Sequence, residues 1–256
     1  MPQALSVALC QLDLHWENPA ANLQKLAEHF ATLSGADLIV LPEMFSTGFS
    51  MQPEKFASQS ANTLQWMITQ AKKQKAAIYG SLMVVDEGKY YNRGYFVYPE
   101  GHYEYYDKRH LFSLAGEEKV YTAGAEKKTV EYKGWRINLQ ICYDLRFPVW
   151  ARNVEDYDVL IYVANWPKPR IAAWTALLKA RAIENMSYCI GVNRVGVDGV
   201  NCQYTGHSAI YDVLGTKMSN ILPNIEQTEI VTLDKKHIKA YRNTFKFLND
   251  RDAFTF

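Results

Sequence analysis

Cysteine is scarce in this 256-residue chain: four residues, Cys10, Cys142, Cys189 and Cys202, far apart and without a C-x-x-C pair. That spacing excludes a disulfide framework, a zinc-binding knuckle and a redox dithiol. Charge of one sign is also missing. Lys and Arg total 28 against 27 Asp and Glu, a formal net charge of +1, so no general attraction to nucleic acid is expected. No apolar run approaches the roughly 20 residues that cross a bilayer, so no membrane partner is expected. The first residues carry no basic segment of the secretory type, which points to a cytoplasmic protein. Low-complexity stretches, linkers and fixed-period repeats are absent too. What the chain does have is 48% hydrophobic residues, enough to bury a full core.

Those residues fall in an alternating pattern. Segments 6–12, 37–41, 77–85, 135–142, 159–164, 189–195, 208–213 and 229–233 read as strands. Residues 94–106 read as an aromatic hairpin interrupted at Pro99-Glu100-Gly101. Asn18-Pro19 is an N-cap with proline at the first helical position, opening a helix with Leu23, Leu26, Phe30 and Leu33 at helical spacing. Leu64, Met67, Ile68 and Ala71 mark a second helix, and residues 170–185 a third with Ile171, Trp174, Leu178 and Ala182 on one face. The run at Lys235-Lys236-His237-Ile238-Lys239 reads as a solvated helix face. Residues 243–256, with Phe245, Phe247, Phe254 and Phe256, read as a tail packing on the body or on a partner copy. Residues 1–256 are expected to form one α/β domain with helices covering sheet.

Three places have chemistry to offer. Cys142 ends an apolar strand just before a polar turn and Pro148, where a thiol can project into a cleft beside the next backbone N–H. Taken alone, it is as easily a small buried hydrophobe. Glu43 follows the apolar run 37–41, at the strand end where α/β ligand sites form. Partial burial there would favour base chemistry near neutral pH, although a glutamate at a loop start is, taken alone, more often an N-cap-like or salt-bridged residue. Lys108-Arg109 follows an aromatic strand and could stabilise an oxyanion, although a basic pair on a loop is usually just solvated. Cys10 and Cys189 sit inside apolar strands, and Cys202 lies in a polar loop without an activating partner. His110, His207 and His237 lack metal-ligand spacing and read as hydrogen-bonded structural residues.

Together, Leu-Pro-Glu at 41–43, Tyr-Asp-Lys-Arg-His-Leu-Phe at 106–112 and Cys-Tyr-Asp-Leu-Arg-Phe-Pro at 142–148 resemble the carbon–nitrogen hydrolase, or nitrilase, superfamily. Lys-Ala-Arg-Ala-Ile-Glu-Asn at 179–185 and the segment 206–215 extend the likeness over nearly the whole chain. The resemblance implies a four-layer α-β-β-α sandwich that dimerises through its helical layers. It implies Glu43, Lys108 and Cys142 as base, oxyanion-stabilising cation and nucleophile. A second glutamate is implied at Glu117 or Glu118, with Glu117 the better fit to the spacing before Gly124. Tyr143 would lend its N–H to the oxyanion, and no metal or organic cofactor is needed.

The Cys-Tyr-Asp-Leu-Arg-Phe-Pro form looks like the branch that includes omega-amidases, which deamidate dicarboxylic acid monoamides such as 2-oxoglutaramate. Such a substrate carries a carboxylate remote from the amide, and guanidinium is its natural bidentate partner. Arg146 leads as that partner and Arg170 is second, with Phe45 and Trp166 as pocket walls. Arg146 could equally form a structural ion pair with Asp144. The alternatives are a nitrilase or carbamoyl hydrolase using the same three residues, or a non-catalytic interaction module on the same fold.

Overall fold

Period-two burial sorts the strands into faces. In β1 (Ala4–Gln11) Val7 and Leu9 belong to one apolar cluster and Ala8 and Cys10 to another. In β2 (Leu38–Val40) Leu38 and Val40 likewise separate from Ile39. A strand with both faces apolar must be covered on both sides, and two sheets stacked face to face between outer helices do so in four layers. The computed structural model describes residues 3–254 and has that arrangement.

One sheet has six strands in the order β13-β1-β2-β3-β4-β5. Its other members are β3 (Ala77–Asp86), β4 (Lys89–Val97), β5 (Tyr103–Asp107) and β13 (Gln227–Asp234). The second sheet runs β12-β9-β8-β7-β6. It is built from β6 (Thr129–Tyr132), β7 (Trp135–Ile141), β8 (Val159–Ala164), β9 (Tyr188–Asn193) and β12 (Ala209–Tyr211). A short ribbon, β10 (Val195–Val197) with β11 (Gln203–Thr205), stands apart. The inner layer between the sheets holds Val7, Val40, Tyr79 and Phe96 against Ile137, Leu139 and Val163. The Tyr79 hydroxyl donates across it to the Gln140 carbonyl at 3.1 Å.

Helices α1 (Pro19–Thr32) and α3 (Ser60–Gln74) cover the first sheet through Leu26, Phe30, Met67 and Ala71. Asn18 caps α1 with its side chain, as its position before proline predicts. The short α2 (Pro53–Phe56) and α4 (Pro148–Ala151) lie in connections. Helix α5 (Ile171–Asn185) covers the second sheet with Trp174, Leu178 and Ala182, and α6 (Lys235–Phe245) buries Ile238.

Some expectations needed correction. The strand at 189–195 breaks after Asn193, because the Asn193 side chain takes over the N–H groups of Trp166 and Arg194 and the chain leaves the sheet. The strand at 135–142 ends one residue early, at Ile141. Lys235 is not a solvated face residue: its ammonium meets the Asp158 carboxylate at 2.9 Å and lies over the Trp135 ring, while Lys236 and Lys239 are exposed. The tail begins inside α6. Beyond it Leu248 packs on the core, and Arg251 bonds the Asn153 carbonyl and Asp156. Thr255 and Phe256 lie outside the described residues.

Helix α5 sits close on β9 because Gly191 has no side chain. A Cβ there would come within 2.4 Å of Leu178 Cδ1 and 2.7 Å of Trp174 Cζ2. Gly191→Ala is expected to destabilise the fold by about 1–3 kcal/mol through overpacking, read as a lower urea midpoint. An unchanged midpoint would mean that α5 yields without cost.

Candidate active site

Strands β2 and β3 run parallel, β4 reverses and β5 reverses again, so β2 and β5 end on the same edge. Strands β7, β8 and β9 are parallel within the other sheet. Glu43 follows β2, Lys108 follows β5, Cys142 follows β7 and Asn165 follows β8. Face-to-face stacking therefore gathers residues separated by up to 122 positions, as carboxyl-end loops of α/β folds do.

Two loops use left-handed backbone to turn there. Cys142 has φ +45° and begins a tight helical turn over Cys142–Arg146. Asp144 secures that turn. Its buried carboxylate accepts from the Ile141 N–H (3.0 Å), the Tyr106 hydroxyl (2.8 Å) and the His110 N–H (2.9 Å), with His110 Nδ1 at 2.8 Å. Met44 has φ +46°, and its carbonyl accepts from the N–H groups of Thr47 and Gly48. A non-glycine residue in this region costs on the order of 1 kcal/mol, and such strain gathers at functional sites.

The centre is an ion cluster. The Lys108 ammonium donates to Glu43 Oε1 (2.9 Å) and to Glu117 Oε1 (3.0 Å) and Oε2 (2.9 Å), and all three side chains are fully buried. Glu43 Oε1 also accepts from Asn92 Nδ2 at 2.8 Å, and Oε2 from the Asn165 N–H at 2.9 Å. Glu117 Oε2 takes the Phe112 N–H at 2.6 Å. Gly124 lets the following loop close in. Its N–H donates to the Lys108 carbonyl at 2.9 Å, and a Cβ there would come within 2.1 Å of the Asp107 carbonyl oxygen.

Burial disfavours the charge on Lys108, but the carboxylates of Glu117 and Glu43 outweigh it and hold the ammonium above the ordinary lysine range. Glu117 is raised, chiefly by burial; Lys108 works against that shift and Glu43 adds to it. The Cys142 thiol is raised well above the usual range, first by burial and then by the Glu43 carboxylate. It therefore rests as a thiol with an acceptor beside it.

A cavity of about 460 Å³ opens on this cluster. Cys142, Tyr143, Asn165, Trp166, Arg146 and Arg170 line it, whereas Glu43, Lys108 and Glu117 lie behind the wall. The Arg146 guanidinium carbon lies 4.9 Å from the centre of the Trp166 ring, and that of Arg170 4.9 Å from the Phe112 ring. Asp144, the expected partner of Arg146 in a structural ion pair, is committed to other donors instead. Of the two candidate glutamates, Glu117 is in the cluster and Glu118 is exposed.

Phe45 is a correction. It does not line the cavity: the turn at Met44 directs it into the helix layer, where its ring lies 6.2 Å from Trp66, and Phe49 stands at the wall instead. Cys202 is also at the wall rather than a packing residue. Cys10 and Cys189 are core residues, Cys10 pushed up to about 12 by burial despite a hydrogen bond to Thr228. Sequence reasoning missed Asn92, Asp144 and Asn165. A signal existed for Asn165, a polar residue directly after the apolar strand 159–164, in the same position that singled out Glu43.

Removing the cation should expose the cost of this cluster. Lys108→Met is expected to lower stability by about 3–5 kcal/mol, since two buried carboxylates lose their counterion. Chemical denaturation reads this, and an unaltered midpoint would mean that the ion cluster does not hold the loops.

Residues 6–243 match the carbon–nitrogen hydrolase family. The chain is 41% identical to the omega-amidase YafV of Escherichia coli K12, over 98% of each chain. It is 35% identical to the 2-oxoglutaramate amidase of Bacillus subtilis, over 82% of this chain and 83% of that one. Among solved structures, the carbon–nitrogen hydrolase superfamily protein XC1258 of Xanthomonas campestris superposes with a TM-score of 0.97 at 42% identity, covering all of both chains. With sequence, fold and strand-end cluster in agreement, the chain belongs to the carbon–nitrogen hydrolase family.

Proposed function

We propose that this protein is a thiol amidase of the omega-amidase kind, hydrolysing the terminal amide of a small dicarboxylic acid monoamide such as 2-oxoglutaramate to the acid and ammonia. The observation that carries the reading is the buried Glu43–Lys108–Glu117 cluster behind a buried Cys142 thiol at a cavity wall. The homology to an omega-amidase and a 2-oxoglutaramate amidase supports the substrate class.

Glu43 takes the thiol proton as Cys142 Sγ attacks the amide carbon, because the thiolate is the effective nucleophile. The tetrahedral oxyanion is met by the Lys108 ammonium and the Tyr143 N–H, an arrangement in which one donor is typically worth about 10²–10³ in rate. As the carbon–nitrogen bond breaks, Glu43 gives the proton to the departing nitrogen and ammonia leaves. Glu43 then takes a proton from water, whose oxygen adds to the thioester carbonyl. The carbon–sulfur bond breaks, and Cys142 recovers the proton. Glu117 keeps Lys108 in place, and no metal or organic cofactor enters any step.

Arg146 and Arg170 receive the remote carboxylate. Both guanidiniums lie over aromatic rings at the cavity wall, and among the described residues neither is paired with a carboxylate. Trp166 supports Arg146 as a wall. The enzyme works as one catalytic domain with its C-terminal tail on the body, in the cytoplasm, without nucleic-acid or membrane partners. Four free thiols are consistent with a reducing compartment, and no helix among the described residues is long and apolar enough to cross a membrane. It pairs as a homodimer through its helical layers, where Val149, Ile183, Phe245 and Phe247 are exposed.

The test is ammonia release from a panel of anionic amides, neutral amides, nitriles and carbamoyl compounds, with Cys142→Ala as control. Release from anionic amides alone, absent in the control, is expected; carbon dioxide with ammonia, or turnover of nitriles instead, would overturn the substrate assignment. Arg146→Met should raise KM for anionic amides about tenfold or more, the cost of a lost charged hydrogen bond. An equal rise for neutral amides would remove Arg146 from carboxylate binding.

The base assignment has its own readout. Burial is the largest cause of the raised Cys142 thiol, and the Glu43 carboxylate adds to it. In Glu43→Gln, alkylation by iodoacetamide should lose the parent's level profile and climb about tenfold per pH unit between about pH 7 and pH 9. A profile as flat as that of the parent would show that Cys142 needs no base.

A further inference from the structure

We propose that Asn92, in the middle of β4, is a positioning residue that sets the proton affinity of the Glu43–Glu117 pair; this rests on the reading of Glu43 as base. Asn92 is fully buried and touches all three members of the ion cluster. Its Nδ2 donates to Glu43 Oε1 at 2.8 Å and to Glu117 Oε1 at 3.2 Å, and its carbonyl accepts the Lys108 N–H at 3.0 Å.

The orientation of the amide follows from charge. Turned over, its oxygen would face two carboxylate oxygens, so the NH₂ group must point at them. Oδ1 is then left buried without a partner. Burying an unsatisfied acceptor is unfavourable. The arrangement is tolerated because Nδ2 supplies donors where two carboxylates converge on the Lys108 ammonium.

The neutrality of the donor matters for the chemistry. A second cation at this position would bind the glutamate anions strongly and weaken the base. An apolar residue would leave two carboxylates crowded around one ammonium and raise their proton affinity until the base stayed protonated at neutral pH. Asn92 lies between those limits, stabilising both anions by hydrogen bonds that carry no net charge. The other groups facing the pair come from every surrounding element: Lys108 after β5, Cys142 at its turn, Tyr79 on β3, and Tyr121, whose hydroxyl donates to the Ser50 carbonyl. Arg93, next along β4, points away to Asp86 and Asp107.

The test follows iodoacetamide alkylation of Cys142 against pH, resolved from Cys202 by peptide mass spectrometry, in the parent and in Asn92→Ala and Asn92→Asp. This readout needs no amide substrate. Both variants should move the acidic limb of the profile upward by about one pH unit, because the pair loses a donor and, in the Asp variant, gains a third carboxyl group. Should Asn92→Ala fail to unfold cooperatively, the nearly isosteric Asn92→Asp carries the test. A merely structural role would lower thermal stability and the alkaline plateau but leave the limb within about 0.2 units of the parent, and that result would overturn the proposal. Glu43→Gln separates the two readings. A limb that survives it removes Glu43 as base and this proposal with it, whereas a limb lost there but unmoved in the Asn92 variants removes Asn92 alone.

Discussion

One buried ammonium between two buried carboxylates organises the molecule. Each ion costs several kcal/mol to take out of water, and their mutual attraction compensates only if the remaining lone pairs are also met. The protein meets them with donors from three segments: Asn92 on β4, Lys108 and Phe112 in the loop after β5, and Asn165 after β8. Segments far apart in sequence must converge on a few ångströms for the cluster to be bearable. Its electrostatics therefore fix the loops as firmly as the apolar layer fixes the sheets.

The charge balance of the cluster defines what Cys142 can do. One cation against two carboxylates favours a proton somewhere in the group, and burial keeps the thiol protonated. This differs from a thiolate paired with a histidine, in which the nucleophile is charged before substrate arrives. In the proposed mechanism the resting thiol faces the Glu43 carboxylate, and its proton moves only when attack begins. Burial thus guards the thiol against idle reactivity. The left-handed turn at Cys142, tied down by Asp144, keeps the sulfur at the cavity wall while the charged groups remain behind it.

Much of this was legible in the residue order because strand-end chemistry leaves a local trace. Strands that finish just before Glu43, Lys108 and Cys142, two of them apolar and one aromatic, mark positions where a side chain leaves a sheet edge, and the motifs around them carry the family likeness. Glu117 could be narrowed to two neighbours by spacing, but a one-residue choice in a tight turn depends on which side chain faces inward. Phe45 misled for a related reason: the reversal at Met44 is a backbone feature with no glycine to announce it. Asn92 was hidden in an aromatic strand, where a lone polar residue looks like part of an exposed face until the partner carboxylates are known.

Composition and order alone determined that this is a disulfide-free α/β protein with alternating buried strands, and they singled out one thiol among four. They did so because period-two burial and strand-end position are local properties. Only the tertiary structure decided which donors complete the ion cluster, which glutamate joins it, and that Arg146 lies over Trp166 at the cavity wall rather than paired with Asp144. Those outcomes depend on stacking two sheets with their carboxyl edges together, a long-range arrangement that no window of sequence encodes by itself.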